Sequence, residues 1–442
     1  MTMVNAYVPD AAGSLPERER ALIARRERLL GPAYRLFYAD PVHVVRGEGA
    51  YLYDPDGNRY LDAYNNVASV GHSRPEVVEA MAKQAAVLNT HTRYLTDNIL
   101  DFAEDFLAEF PPELSHLMLT CTGSEANDLA LRVARVRTGG TGVVIAHNAY
   151  HGVTAALAEM SPSLGSAVKL GDHVRVVPAP DGYHQPEAEV GAAFARDVEA
   201  AIADLRAKGI KPAALLVDTI FSSSGVFTDP AGFLAPAVEV MRKAGGVFIA
   251  DEVQPGFGRL GTHMWGFARH GLVPDIVTIG KPMGNGHPVA GAVFRPEVIE
   301  AFGKSQRYFN TFGGNPVSCA VAHAVLKVIK ADRLQENALA VGTRMIDGLR
   351  ALADKHALIG DVRGSGLFIG VEMVRDRTLK TPASEETARV VNGMRKRRVL
   401  ISATGQEGHI LKIRPPLVFS PDDATLFLDT LDEVLTETTS AH

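Results

Sequence analysis

Asp275-Ile276-Val277-Thr278-Ile279-Gly280-Lys281-Pro282-Met283-Gly284 is a short apolar, β-branched run that ends on a lysine and opens into a glycine- and proline-rich loop. β-Branched residues suit a pleated, buried surface, so the run predicts a strand over 276–279. A cationic side chain at the mouth of a buried strand is costly unless chemistry employs it. Upstream, Gly246-Val247-Phe248-Ile249-Ala250 predicts a second apolar strand, and it ends in Asp251-Glu252. Outward from this pair, helix-length periodic segments alternate with short apolar runs from about Pro75 to Lys330. Strands are expected over 117–120, 142–146, 174–177, 214–217, 247–250, 276–279 and 291–294. That alternation is the signature of an α/β domain with a mostly parallel sheet flanked by helices.

At 442 residues, 46% of them hydrophobic, the chain can bury a large core and exceeds what one core usually holds. A large domain is expected over 75–330. Residues 1–74 and 331–442 are expected to form a smaller α+β domain beside it. The amino-terminal part predicts a charged helix over 17–30, then short strands punctuated by Arg46-Gly47-Glu48-Gly49 and Asp54-Pro55-Asp56-Gly57-Asn58. After Lys330 the order reads helix, a glycine-rich strand over 362–372, helix, strand and final helix. A formal net charge of −6 gives no electrostatic reason to expect nucleic acid or an acidic membrane as partner. Two cysteines, Cys121 and Cys319, make neither a disulfide framework nor a zinc cluster and fit a reducing cytoplasm. Asp10, Glu17, Arg18, Glu19 and Arg20 stand where a signal peptide would need an apolar run.

Several constellations carry chemistry. Leu117 to Asn127 reads as strand, glycine turn and helix start, the helix following from the spacing of Ala126, Leu129, Ala130, Val133 and Ala134. The free N–H groups at Gly123 and Ser124 then make an anion site; the plainer reading is a capping box of Thr122 with Glu125. Ala149-Tyr150-His151-Gly152 follows a strand end and offers a flat aromatic to stack on a ring. His147 and His151 have metal-pair spacing without a third ligand, so no metal is expected, and His151 also reads as a structural histidine. In Asp251-Glu252-Val253-Gln254, an anion, an apolar ring cover and a polar contact for a phenolic oxygen come together, while Glu252 reads as a solvated strand-end acid. Lys412 and Arg414 share one face of a carboxyl-terminal strand and suit an anionic group, unless that strand is a solvated edge. Thr311-Phe312-Gly313-Gly314-Asn315-Pro316 reads by itself as a polar turn. Two phosphate-loop look-alikes fail on context: Gly256–Gly261 follows Pro255 with no helix opening on it, and Gly280-Lys281 is followed by Pro282 where a hydroxyl is needed. A lysine and a carboxylate at neighbouring strand mouths are what pyridoxal phosphate requires, an amine for the Schiff base and an anion for the ring nitrogen.

Together these residues resemble the class III (ω-type) aminotransferases of the fold-type I pyridoxal-phosphate enzymes, from about Leu36 to the end. The resemblance implies Lys281 as the Schiff-base lysine and Asp251 as partner of the ring nitrogen. Tyr150 and Val253 then stack on the ring, with His151 beside them. Gln254 contacts the ring oxygen, Gly123 and Ser124 cup the phosphate, and Thr311 is a phosphate ligand donated by the neighbouring subunit of a homodimer. Asn66 to His72, Thr92-Arg93-Tyr94-Leu95, Gly280 to Ala290, Phe309 to Gly314 and Gly360 to Gly364 resemble, more narrowly, the ethanolamine-phosphate and phosphohydroxylysine phospho-lyase branch. Transaminating members carry a Glu-Pro-x-Gln-Gly-Glu segment whose second glutamate pairs with an arginine. Here Asp218-Thr219-Ile220-Phe221-Ser222-Ser223 stands instead, with Ser223 at that glutamate and Lys412 at the arginine. The expectation is a lyase releasing phosphate from phosphoethanolamine or a close relative, its phosphate held by Lys412, Arg414 and Arg93. The alternative is an aminotransferase using pyruvate or glyoxylate.

Overall fold

The computed structural model describes residues 5–9 and 15–440; Asp10, used above against a signal peptide, lies outside the described residues. Seven strands form the central sheet in the order His116–Thr120, Ala290–Phe294, Ile276–Ile279, Val247–Asp251, Pro212–Asp218, Gly142–Ala146 and Val174–Val177. Ala290–Phe294 runs antiparallel to both of its neighbours, and every other pairing is parallel. The sheet is therefore mixed and mostly parallel, as the alternation predicts.

Its central strands are continuous apolar runs because both faces are covered. Leu215, Val217, Phe248, Ala250, Val277 and Ile279 enter one core, while Ala214, Leu216, Val247, Ile249 and Ile276 enter a second core on the other face. The helix Gly123–Thr138 closes the second through Leu129, Ala130, Val133 and Ala134. Val190–Ala207 and Ala235–Lys243 close the first through Phe194, Val198, Leu205 and Met241.

Two smaller sheets flank this layer. Arg46–Glu48, Tyr51–Tyr53 and Arg59–Asp62 form a meander, and Val399–Leu400 joins it in parallel, so both ends of the chain meet in one sheet. The other holds Ile359–Ser365, Phe368–Asp376, Ile410–Ile413 and Ser402–Thr404, with Thr381–Pro382 on the second of these. The glycine-rich strand expected over 362–372 is thus corrected to a hairpin. Gly366 turns it with φ +55°, and a Cβ there would meet the Arg259 carbonyl oxygen at 2.5 Å. Among the described residues no helix is long and apolar enough to cross a membrane.

Candidate active site

The parallel strands end together, and ligands of open α/β sheets bind outside their carboxyl ends. Register places Asp218, Asp251 and Thr278 side by side across three strands at that edge. Above them opens a cavity of about 250 Å³ lined by Gly123, Ser124, Tyr150, His151, Asp251, Val253, Gln254 and Lys281, together with Asn127 and Asp218.

Asp251 is buried and held on both oxygens. His151 Nδ1 lies 2.8 Å and the Asn127 amide 3.0 Å from Oδ2, and the Val253 N–H donates to Oδ1 at 3.1 Å. Asn127 is fixed in turn by Thr278, whose hydroxyl donates to Oδ1 at 2.7 Å, and by the His151 carbonyl, which accepts from Nδ2 at 2.9 Å. His151 is therefore a carboxylate-orienting residue, and the metal alternative for His147 and His151 finds no cluster among the described residues. Asn127 had no role in the sequence reading. Its place one turn into the helix after Gly123-Ser124 was the available signal, because helical spacing points it back at the strand ends.

The helix Gly123–Thr138 starts at a full capping box, Thr122 with Glu125. The two readings of this turn are compatible, since the box orders the first turn and leaves Gly123 and Ser124 lining the cavity. Tolerance there is tight. A Cβ on Gly152 would meet the Ser124 hydroxyl at 2.6 Å, and one on Gly123 would press on Val253 at 3.1 Å. Burial and then the nearby Asp251 raise the Tyr150 phenol. Lys281 follows the strand Ile276–Ile279, its ammonium 5.9 Å from the centre of the Tyr150 ring. Burial, seconded by the charge of Arg414 and opposed by Asp251 and Asp218, lowers its pKa to about 8. An anion cradle at a helix start, an aromatic, an oriented carboxylate and a lysine of lowered pKa fit pyridoxal phosphate.

Lys281 and Val67 also line a second cavity of about 420 Å³, together with Asp62, Tyr64, Asn66 and Arg414. Arg414 is buried and lies over the Tyr64 ring at 4.3 Å. Its Nη1 donates to Asn66 Oδ1 at 2.5 Å and to Gln254 Oε1 at 2.9 Å, so here Gln254 engages Arg414. Arg414 Nε and Asn66 Nδ2 are buried donors without a protein partner. Lys412 is also buried, in a strand flanked on both sides, which removes the solvated-edge reading. Burial lowers its pKa well below the lysine range, helped by the charges of Arg414 and Lys281 and opposed by Asp218.

Three expectations, for Arg93, Lys412 and Glu252, are not met within this chain. Arg93 is exposed and lies 3.7 Å over the Phe309 ring, and neither it nor the buried Lys412 lines either cavity. Thr311, expected to serve the neighbouring subunit, is exposed and outside both. Glu252 is not a solvated acid: it is fully buried and accepts from the Gly266 and Phe267 N–H groups and the Thr219 hydroxyl, each at 2.8 Å. Burial outweighs those bonds and raises its carboxyl to about 7.

A family model described as Aminotransferase class-III matches residues 37–435. A Drosophila melanogaster protein called alanine–glyoxylate aminotransferase 2-like is 43% identical, over 94% of this chain and 86% of its own. Ethanolamine-phosphate phospho-lyase homolog 1 of Caenorhabditis elegans is 37% identical, over 98% and 99%. Among solved structures, a phospholyase from Arthrobacter in complex with phosphoethanolamine superposes with a TM-score of 0.91 at 42% identity, covering 94% of this chain and 99% of that one.

Proposed function

The chain belongs to the class III aminotransferase family, whose cofactor is pyridoxal 5′-phosphate, and within it we propose a phospho-lyase that releases phosphate from an amino-alcohol phosphate such as O-phosphoethanolamine. The observation that carries this reading is that Arg414, a buried guanidinium, and Asn66 line the cavity that Lys281 shares, so a cation and an amide stand in one space with the base. An anionic substituent next to the reacting carbons suits that space.

When bound, the cofactor supplies the electron sink. Gly123 and Ser124 would hold its phosphate, Tyr150 and Val253 would contact its ring, and Asp251, kept in place by His151 and Asn127, would favour a proton on the ring nitrogen. Lys281 removes the proton from the carbon bearing nitrogen, as general base. Its lowered pKa keeps a useful share of the amine neutral near pH 8. Phosphate departs from the adjacent carbon with the bonding electrons, and Arg414 and Asn66, which line the cavity that Lys281 shares, donate to its oxygens. With water the organic fragment becomes an aldehyde and ammonia, so no oxidant or second substrate is consumed. Thr311 and Arg93, exposed here, fit service to the neighbouring subunit of a homodimer.

The segment Asp218–Ser223 supports a single-substrate enzyme. Ser223 stands where transaminating members carry a glutamate, and its carbonyl accepts from the Thr404 hydroxyl at 2.9 Å. Aminotransfer to pyruvate or glyoxylate is the second reading, favoured by the name of the Drosophila relative. Holoenzyme incubated with phosphoethanolamine and no keto acid separates the two. Stoichiometric phosphate and ammonia are expected, whereas accumulation of pyridoxamine phosphate without phosphate release establishes the aminotransferase.

A further inference from the structure

His287 lines the first cavity, and the chemistry above gives it no task. Strand pairing fixes which end of that cavity it occupies. Ala290–Phe294 runs antiparallel to His116–Thr120, with Ala290 opposite Thr120. The residues just before Ala290 and those just after Thr120 therefore leave the sheet side by side. Both groups, 286–289 and 121–124, line the cavity throughout. His287 thus stands at the end that holds the anion cradle of Gly123 and Ser124.

Its ring is held by a short chain of side chains. Nε2 lies 2.9 Å from the Ser318 hydroxyl, and that oxygen accepts from Asn315 Nδ2 at 2.8 Å. Asn315 is locked in turn, because its Oδ1 accepts from the Ser318 N–H at 2.9 Å as cap of the helix Pro316–Ala331. The Ser318 hydroxyl has one proton and two acceptors in reach, His287 Nε2 at 2.9 Å and the Pro288 carbonyl at 3.4 Å. The nearer acceptor takes it, so the proton of a neutral ring sits on Nδ1. Burial lowers the pKa of His287 and favours that neutral form. Ser318 does not line the cavity, and Nδ1 makes no hydrogen bond among the described residues. Other polar side chains of the cavity are engaged: His151 and Asn127 with Asp251, and Gln254 with Arg414. An N–H donor is left over beside a cradle made of N–H donors.

We propose that His287 is a ligand of the cofactor's phosphate, donating from Nδ1 to one of its oxygens, with Ser318 and Asn315 as the residues that aim the ring. A phosphate monoester carries close to two negative charges at neutral pH, and Gly123 and Ser124 bring no charged side chain to it. A neutral imidazole adds a directed, charge-assisted hydrogen bond without adding a full cation to the cavity that Lys281 lines. That contact serves either reaction considered above.

The test is the affinity of apoenzyme, prepared from the holoenzyme, for pyridoxal phosphate and for pyridoxal, which keeps the ring and aldehyde but lacks the phosphate. Visible absorbance follows binding. His287→Phe should raise Kd for pyridoxal phosphate about 10–100-fold, the range of a lost hydrogen bond to a charged group, and leave Kd for pyridoxal unchanged. Ser318→Ala keeps the imidazole but releases its aim, so it should weaken pyridoxal phosphate by a smaller factor and again spare pyridoxal. His287→Gln, which restores a donor, should recover part of the loss. A wild-type Kd for pyridoxal phosphate in His287→Phe overturns the proposal. Equal weakening of both compounds in that variant overturns it as well, since His287 then supports the fold rather than the phosphate. A wild-type Kd in Ser318→Ala overturns the aiming role.

Discussion

Arg414 and Asn66 keep donors that the folded protein does not use, and their contribution is expected to appear at the substrate rather than in stability. Arg414→Met and Asn66→Ala should each lower kcat/KM for the amino phosphate, the arginine variant by about 10–100-fold, the range of a lost hydrogen bond to a charged group. Steady-state phosphate release measures this, and a wild-type value in Arg414→Met would remove it from the site. Lys281 gives a pH signature. With its pKa lowered to about 8 the amine becomes neutral as pH rises through that value. Capture of pyridoxal phosphate by apoenzyme, followed by visible absorbance, should therefore quicken about tenfold between pH 7 and 9 and then level off. A lysine of ordinary pKa would keep accelerating past pH 10. Residue type and position made Lys281, Asp251 and Tyr150 legible in the sequence because each ends a recognisable strand. Asn127 and Glu252 were not, since what they do depends on which backbone or carboxylate another strand brings to them.

The segment 219–226 shows how elements decide what residues can do. Its carbonyls are held from several directions: Thr404 Oγ1 donates to Ser223 O at 2.9 Å, Asn148 Nδ2 to the same oxygen at 2.7 Å, and Arg363 Nε to Gly225 O at 2.9 Å. Anchored by two strands of the carboxyl-terminal sheet and by the turn before Tyr150, the segment is built to stay in place. Arg363 also pairs with Asp361 at 2.9 Å and Glu372 at 2.6 Å, and His409 Nε2 lies 2.6 Å from Glu372. Burial works against the Glu372 carboxylate, yet the His409 hydrogen bond and the Arg363 charge hold it down to about 2. Because the folded pKa lies below the unfolded one, this stabilisation is present above about pH 4.5 and is lost as pH falls toward 2. Arg363→Met leaves the buried Glu372 with His409 as its remaining side-chain partner and should cost about 3 kcal/mol in denaturant unfolding at pH 7. A change below 0.5 kcal/mol would show that the cluster does not brace the sheet. Strand positions were legible from apolar periodicity, and the hairpin over 359–376 left a turn signal in Arg363-Gly364-Ser365-Gly366, but two strands of that length so close together read as one run until their pairing was seen.

At the scale of the molecule, the surface holds a group of apolar side chains with no cover: Leu95 is 99% exposed, Phe312 69% and Tyr94 65%. Arg93 and Thr311, which miss this chain's own cavities, lie in the same two segments. Exposed apolar clusters of this kind mark interaction surfaces, which supports the proposed homodimer. Leu95→Asp should shift the protein toward monomer in sedimentation velocity and lower activity in parallel; an unchanged dimer with full activity would place the interface elsewhere. The sequence by itself determined the alternating α/β layer, the lysine and carboxylate at its strand ends, and the family resemblance, because apolar periodicity and strand-end chemistry are local properties. The burial of Lys412 and Arg414, the clamping of Asp251 by His151 and Asn127, and the position of Lys281 on the wall of two cavities were settled by the tertiary structure alone. Those properties come from segments hundreds of residues apart meeting at one sheet edge, where burial and neighbouring charge, rather than residue identity, set what each group can do.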